Sequence, residues 1–359
     1  MKRNDSSKAH ITIAGTAIVV LAIALFVPHL AATTYERGQE SGNILEEAAK
    51  QFTPPPKFDE AAYDAKMRFL AHIDETATTS SSTAKRLWPV TDAPYPKAGA
   101  LLPDNRIVAY YGNFYSTKMG ILGEFDKDTV IAKLKQEKAA WEAADPTTPV
   151  VMGIDYIAIT AQGSPQADGT YKLRMPEEHI QRAIDMANEI DGIVILEMQI
   201  GLSTFQKEIP LLDKYLALPN VHLAIDPEFS MKGGEEPGSV IGTVSSADVN
   251  YAAQYLADLV REHDLPPKIL VIHRFTHKMV TGASAIEPLP EVQMVMVMDG
   301  WGFGAKKINT YNSVIYPEPV QFTGFKIFYK NDLKPPSTRL LTPAEVLELT
   351  PSPSFIQYQ

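Results

Sequence analysis

Four stretches of this chain are apolar almost without a break: VVMGIDYIAI at 150–159, GIVILEM at 192–198, KILVI at 268–272 and VQMVMVM at 292–298. A strand with one wet face alternates apolar and polar side chains. A continuous apolar run fits a strand covered on both faces, the usual state of parallel strands flanked by helices. Segments with strand character at 107–111, 221–225 and 322–328 extend the set, and 313–316 reads as a short further strand, for eight in all. Helical patterns at 127–143, 176–189, 204–216 and 342–349 fall between or after them. Ser245 and Asp248 form a capping box that opens another helix, running to about residue 263. Pro343 suits the first turn of the last helix, where its missing N–H costs nothing.

Strand and helix alternate for 255 residues (359 minus 104), close to the size of about 250 usual for an eight-stranded barrel. The expected fold class is therefore α/β, a (β/α)8 TIM-type barrel over 105–359. An open doubly wound sheet is the alternative. It loses support because YYGNFYS, not a Gly-rich phosphate loop, follows the first strand.

The chain ahead of the barrel reads differently. Lys2, Arg3 and Lys8 precede an apolar run at 11–27. That run is long for a signal-peptide core and just long enough to span a bilayer. Cleavage after Ala31 or Ala32 would put His29 or Leu30 at a critical position, so an uncleaved anchor is favoured over a cleaved signal. The basic flank keeps the N-terminus inside and sends the rest out. The expected organisation is a cytoplasmic tail at 1–10, a transmembrane anchor or signal segment at 11–30, an extracytoplasmic stalk at 31–104 and the barrel. Pro54, Pro55 and Pro56 and a Ser/Thr tract at 78–83 give the stalk its character. Within it, 61–73 has helical spacing, with Tyr63, Met67, Leu70 and Ile73 on one side.

Charge and cysteine content narrow the chemistry. A net charge of -10 and no long basic run beyond the first residues argue against nucleic acid as a partner. The absence of cysteine removes thiolate catalysis, disulfides and a lipidated cysteine anchor. No GxSxG elbow is present, which argues against acyl transfer.

Barrel sites lie at the carboxyl ends of the strands, and ionisable residues gather there: Asp155, Glu197, Asp226, Glu228, His273, Arg274 and Asp299. Asp226 and Glu228 are the sharpest pair. On a strand, residues i and i+2 face the same side roughly 6.5 Å apart, and neighbouring carboxylates raise one another's pKa. One protonated and one ionised carboxyl are what glycosidic cleavage needs. The structural alternative is a strand exit at which Asp226 caps the following loop. Aromatic residues collect at the same rim, including Tyr111, Phe229 and Trp301, the last between Gly300 and Gly302. Such faces suit the apolar faces of sugar rings. His273 and His277 are four apart and permit a metal site with Asp299 and Glu197. HRFTH carries Arg274 where the HExxH motif has its acid, so neither metal nor cofactor is expected.

Two resemblances follow from these motifs. Leu223-Ala224-Ile225-Asp226-Pro227-Glu228-Phe229, Pro237-Gly238-Ser239-Val240-Ile241-Gly242, His273-Arg274-Phe275, Gly324-Phe325-Lys326-Ile327-Phe328-Tyr329 and Leu341-Thr342-Pro343-Ala344-Glu345 resemble a family of exported, lipoprotein-like bacterial proteins of uncharacterised function, although no lipobox cysteine is present. Asp226 and Glu228 are also similar to the Asp-x-Glu on the fourth strand of family 18 and family 25 glycoside hydrolases. Met296-Val297-Met298-Asp299 stands where family 18 has Met-x-Tyr-Asp, and Val221 and Ala224 stand where it has two further aspartates.

Together these features lead to the expectation of a membrane-anchored barrel facing the cell envelope that cleaves or binds envelope polysaccharide. Glu228 is the expected general acid, Asp226 the stabiliser of positive charge and Asp299 an orienting or activating group. Tyr111, Glu197, Phe229, His273, Arg274 and Trp301 are the expected substrate contacts. The alternatives are a non-catalytic barrel that binds glycan or a partner, and a metal-dependent hydrolase using His273, Asp299 and Glu197.

Overall fold

The computed structural model describes residues 58–73 and 86–359, all within one compact unit. The apolar run at 11–27 and the Ser/Thr tract at 78–83 lie outside the described residues. Among the described residues, no helix is long and apolar enough to cross a membrane.

Eight parallel strands close on themselves. They are β1 (Arg106–Gly112), β2 (Val150–Ala161), β3 (Ile193–Met198), β4 (Val221–Ile225), β5 (Lys268–Arg274), β6 (Val292–Met298), β7 (Phe322–Ile327) and β8 (Phe355–Tyr358). Each pairs with the next, and β8 returns to β1 with Ile107 opposite Phe355 and Tyr110 opposite Tyr358. The continuous apolar runs are explained by this closure, since every barrel strand is buried on both faces. The outward residues, such as Val108, Ile154, Leu196, Leu223, Leu270 and Met296, share one core with the surrounding helices.

Those helices are amphipathic and capped as their sequences require. Lys127–Ala144 starts at Asp126, whose side chain accepts from Thr129 N at 3.0 Å. Glu177–Glu189 buries Ile180, Ala183, Ile184 and Ala187 at helical spacing. Ser246–Glu262 opens with the expected capping box: Ser245 N donates to Asp248 Oδ2 at 2.7 Å, and Asp248 N to Ser245 Oγ at 3.3 Å. Between β5 and β6 the described chain has only 3-10 turns and a short strand, Val280–Thr281, paired with Val244–Ser245.

Two expectations are corrected. Residues 313–316 are not a strand. Tyr311–Ile315 is a wide helical turn that continues the helix Gly304–Thr310, and it buries Tyr311, Val314 and Ile315 at the i, i+3, i+4 spacing of a helix rather than the alternation of a strand. The last barrel strand is instead Phe355–Tyr358, four residues held by parallel ladders on both sides. The second correction concerns the stretch expected to be a stalk, which belongs to the folded unit wherever it is described. The helix Glu60–Leu70 buries Tyr63, Met67 and Leu70 in one cluster with the inward residues Ile107, Ala109, Ile195, Ala224, Val271 and Phe355. Leu70 O accepts from Ser352 N at 2.7 Å. Gln293 Oε1 accepts from Leu101 N and Leu102 N, and Trp88 Nε1 donates to Tyr316 O at 2.9 Å. These residues close the amino-terminal end of the barrel.

Inside the barrel the alternating residues change character along the axis. The lowest layer includes the hydrogen-bonded His222 and Gln293, and the layer above it is apolar and tightly fitted. At Gly324 a Cβ would lie 2.6 Å from Val297 Cγ2 and 2.9 Å from Phe355 O, so only glycine lets those neighbours meet. The upper layer, toward the carboxyl ends, is polar.

Candidate active site

The upper layer is built by strand parity. Tyr111 lies two residues beyond Ala109 on β1, Glu197 two beyond Ile195 on β3, and His273 two beyond Val271 on β5. Each follows an inward apolar residue and so faces inward itself. Asp155, Asp226, Asp299, Lys326 and Gln357 complete the ring, with Tyr111 in register with Asp155 and Lys326 with Gln357. All eight of these residues are buried.

A chain of polar contacts crosses the barrel. Tyr111 Oη donates to Glu197 Oε1 at 2.9 Å, and His273 Nε2 lies 2.9 Å from Glu197 Oε2. His273 Nδ1 is 3.2 Å from Asp299 Oδ2, and Lys326 Nζ is 3.1 Å from Asp299 Oδ1. The ammonium of Lys326 also lies over the Tyr111 ring, 3.9 Å from its centroid. Gln199 Nε2 donates to Tyr111 Oη and to Asp226 Oδ2 at 3.2 and 3.3 Å. On the β2 side, Gln357 donates to Asp155.

Burial and charge divide the acids into two kinds. Burial, reinforced by Glu197, holds the Asp226 carboxyl well above the ordinary range, and the same two causes act on Asp155. At Asp299 burial acts in the same direction but is outweighed by Lys326 and His273, so its pKa is lowered. Burial opposes the charge on His273, yet Glu197 and Asp299 outweigh it and raise its pKa well above the ordinary value. The ring therefore favours the charged forms of His273, Lys326 and Asp299 and the neutral forms of Asp226 and Asp155.

Above this layer opens a cavity of about 420 Å³. Tyr111, Gln199, Asp226, Asp299 and Lys326 line it below. Phe229, Phe275, Trp301 and Phe328 supply apolar walls, and Lys118 and Lys306 stand at its edge. Glu228 reaches it from a 3-10 turn rather than from the strand. β4 ends at Ile225, and Asp226 Oδ1 accepts from Glu228 N at 3.0 Å, capping the turn Pro227–Phe229. Gly242 N donates to Glu228 O at 2.8 Å and pins that turn. Glu228 is half-buried, and burial followed by the charge of Asp299 raises its pKa to about 7. Among the described residues, its carboxyl accepts no hydrogen bond from the protein.

The sequence-derived candidates separate into three groups. Tyr111, Asp226, Glu228, Phe229, Asp299 and Trp301 meet at the cavity. Glu197 and His273 lie beneath it, buried and outside its lining. Arg274 is not part of the site. Being adjacent to His273 on one strand, it points the other way. Its guanidinium donates to Thr276 O and His277 O at 3.2 and 3.0 Å and pairs with Glu318 at 2.6 Å. Lys326 and Gln199 had not been singled out. Inward parity on β7 is the signal that could have found Lys326. The expected metal alternative loses its geometry: His277 pairs with Glu318 at 2.7 Å, and both ring nitrogens of His273 face carboxylates instead of the cavity. Among the described residues, no group of three His, Asp or Glu is arranged to hold a metal ion.

Fold and site thus define a closed eight-stranded α/β barrel with an acid- and aromatic-lined cleft at the carboxyl ends of its strands. No family model matches the chain, and no curated protein matches it. Among solved structures it is similar to the Bacillus subtilis mannanase Man26, at 12% identity over 86% of this chain and 88% of that one, with a TM-score of 0.37. It is also similar to the YdhT protein of Bacillus subtilis, at 13% identity over 86% and 88%, with a TM-score of 0.40. A third likeness is to tryptophan synthase from M. tuberculosis, at 9% identity over 71% and 82%, with a TM-score of 0.31. Likenesses this weak decide nothing about the chemistry.

Proposed function

We propose that this chain is a glycoside-hydrolase-like protein of the cell envelope that acts on polysaccharide at the cleft above Tyr111 and Asp299. The carrying observation is Glu228, a half-buried carboxyl with a pKa raised to about 7 that faces a cavity walled by Phe229, Phe275 and Trp301. A carboxyl that keeps its proton near neutral pH is suited to protonate a leaving glycosidic oxygen. The C–O bond then breaks as that proton moves to the oxygen. A solvent water adds to the positive sugar carbon and returns a proton to Glu228.

The ionised partner is Asp299 in place of Asp226, because burial and the charge of Glu197 favour the neutral form of Asp226. Both Asp299 oxygens lie against cations, Lys326 and His273. Asp299 therefore acts through its charge on the developing positive centre and not as a covalent nucleophile. The envelope setting is supported by the basic residues Lys2, Arg3 and Lys8 ahead of the apolar run at 11–27.

A second reading is a barrel that binds glycan without cleaving it. The observation favouring it is that Asp226 and Asp299 are both engaged internally, which leaves Glu228 as the one cavity carboxyl without a protein partner among the described residues. Turnover of envelope glycans by wild type and Glu228→Gln separates the two. A hydrolase loses about 100-fold or more of its activity in the variant. A binding barrel shows no turnover in either protein and retains glycan affinity in both.

A further inference from the structure

The charge around the cleft selects among sugars. Lys118 and Lys306 both line the cavity, both are exposed, and neither has a carboxylate at ion-pair distance among the described residues. Lys306 Nζ donates to the carbonyl of Trp301 at 3.2 Å. Trp301 is 47% exposed, and its ring lies beneath two ammonium groups, Lys306 at 5.1 Å and Lys334 at 4.8 Å. Its loop is anchored from below: Gly302 N donates to Asp332 Oδ1 at 2.9 Å, and Asp332 Oδ2 pairs with the buried Lys307 at 2.6 Å. A sugar stacked on this ring would set its substituents beside Lys306 and Lys334.

The acids of the same cleft do not cancel these cations. Asp299 is paired with Lys326 and His273, Asp226 is buried against Gln199 and its own turn, and burial holds Glu228 in its neutral form below about pH 7. The mouth of the cleft is thus cationic in a chain whose net charge is -10. Such local fields draw ligands of opposite sign to the site.

We propose that the ligand of this cleft is an anionic sugar chain whose carboxylate- or phosphate-bearing residue stacks on Trp301 between Lys118, Lys306 and Lys334. The proposal rests on the sugar-cleft reading above and specifies its substrate class. An anionic substituent there would also help Glu228 keep its proton, since a nearby negative charge disfavours a second one.

The test is calorimetric titration of the full-length chain with three probes: oligogalacturonate, a neutral manno-oligosaccharide of the same length, and inorganic phosphate. Oligogalacturonate is expected to bind about tenfold more tightly than the neutral chain at low salt, the combined effect of a few exposed ion pairs. The preference should shrink at 0.5 M salt, a concentration at which screening is strong. Lys118→Ala/Lys306→Ala/Lys334→Ala should abolish the preference, lowering the affinity for oligogalacturonate more than that for the neutral chain. Equal affinity for the two oligosaccharides, or a preference that survives the triple variant, overturns the anionic assignment while leaving a sugar cleft. Binding of inorganic phosphate as tight as that of oligogalacturonate overturns it in favour of a plain anion site. Failure of both oligosaccharides to bind overturns the sugar-cleft reading together with it.

Discussion

Lys326 on β7 places its ammonium 3.9 Å from the centroid of the Tyr111 ring on β1. The two strands are not neighbours, since β8 runs between them, so the contact spans the barrel's interior. The same ammonium pairs with Asp299, and the side chains of both are about 5% exposed or less. Lys326→Met would leave Asp299 buried without one of its two cations. Loss of one partner from a buried pair costs about 3–5 kcal/mol, which urea unfolding will measure. Lys326→Met/Asp299→Asn should cost less than the sum of the single changes, because the orphaned charge is removed as well. Additive losses would show that the pair is not coupled.

Glu228 gives the protein a defined pH response. Its pKa rises on folding from 4.5 to about 7. Between those values the folded state holds a proton that the unfolded chain has released. Stability therefore falls as pH rises through this window and levels off above it. Glu228→Gln removes the effect. The melting temperature of the variant relative to wild type should climb from pH 4.5 to 7 and then stay level. A difference independent of pH would mean that Glu228 titrates normally.

His273 acts in the same direction, over a range that begins at its own ordinary pKa. Its pKa is raised because Glu197 and Asp299 outweigh burial. Its contribution to stability is complete below its ordinary pKa and is lost only as pH rises through the higher folded value. Nitrogen-15 spectra of the histidine side chains should find both ring nitrogens of one histidine protonated at pH 7, above the ordinary imidazole pKa, and His273→Gln should delete that signal. A neutral tautomer for His273 at pH 7 would contradict the charge assignment of the whole ring.

The floor helix is testable by truncation and by point substitution. Leu70 is 4% exposed and packs with strand residues from both ends of the barrel sequence. Leu70→Ala should cost roughly 2–5 kcal/mol, as buried leucines usually do. A fragment starting at residue 105 should unfold at lower urea than one starting at residue 57. Equal midpoints would make the helix an ornament and restore the stalk boundary.

Much of this architecture was legible because parallel strands buried on both faces leave an unmistakable trace, as at 192–198 and 292–298. Phe355–Tyr358 was not, because four residues ending in Gln357 and Tyr358 have no run long enough to register. Only the ladders on either side define them. At the site, Asp226 and Glu228 were legible as a pair, but the strand geometry assigned to them was not. Proline at 227 ends β4 and turns the chain, so Asp226 caps the turn that carries Glu228. Arg274 drew attention through its neighbour, although adjacent strand residues face opposite ways. Lys326 was overlooked because a lysine in a strand ordinarily reads as solvent-facing. Its partners Asp299 and Tyr111 are 27 and 215 residues away in the chain (326 minus 299 and 326 minus 111), beyond the reach of any local pattern.

The helix Glu60–Leu70 is made early in the chain, yet the surface it covers is finished last. Its cluster includes Phe322 of β7 and Phe355 of β8, and Leu70 O is bonded to Ser352 just ahead of β8. During synthesis, the apolar face of this helix has no complete seat until nearly the whole polypeptide has been made. Docking of the first described element is thereby a readout of whether the last strand has joined the first. A chain cut short before β8 would carry an uncovered hydrophobic helix at one end and an open sheet edge at the other, two marks by which an incomplete molecule differs from a finished one.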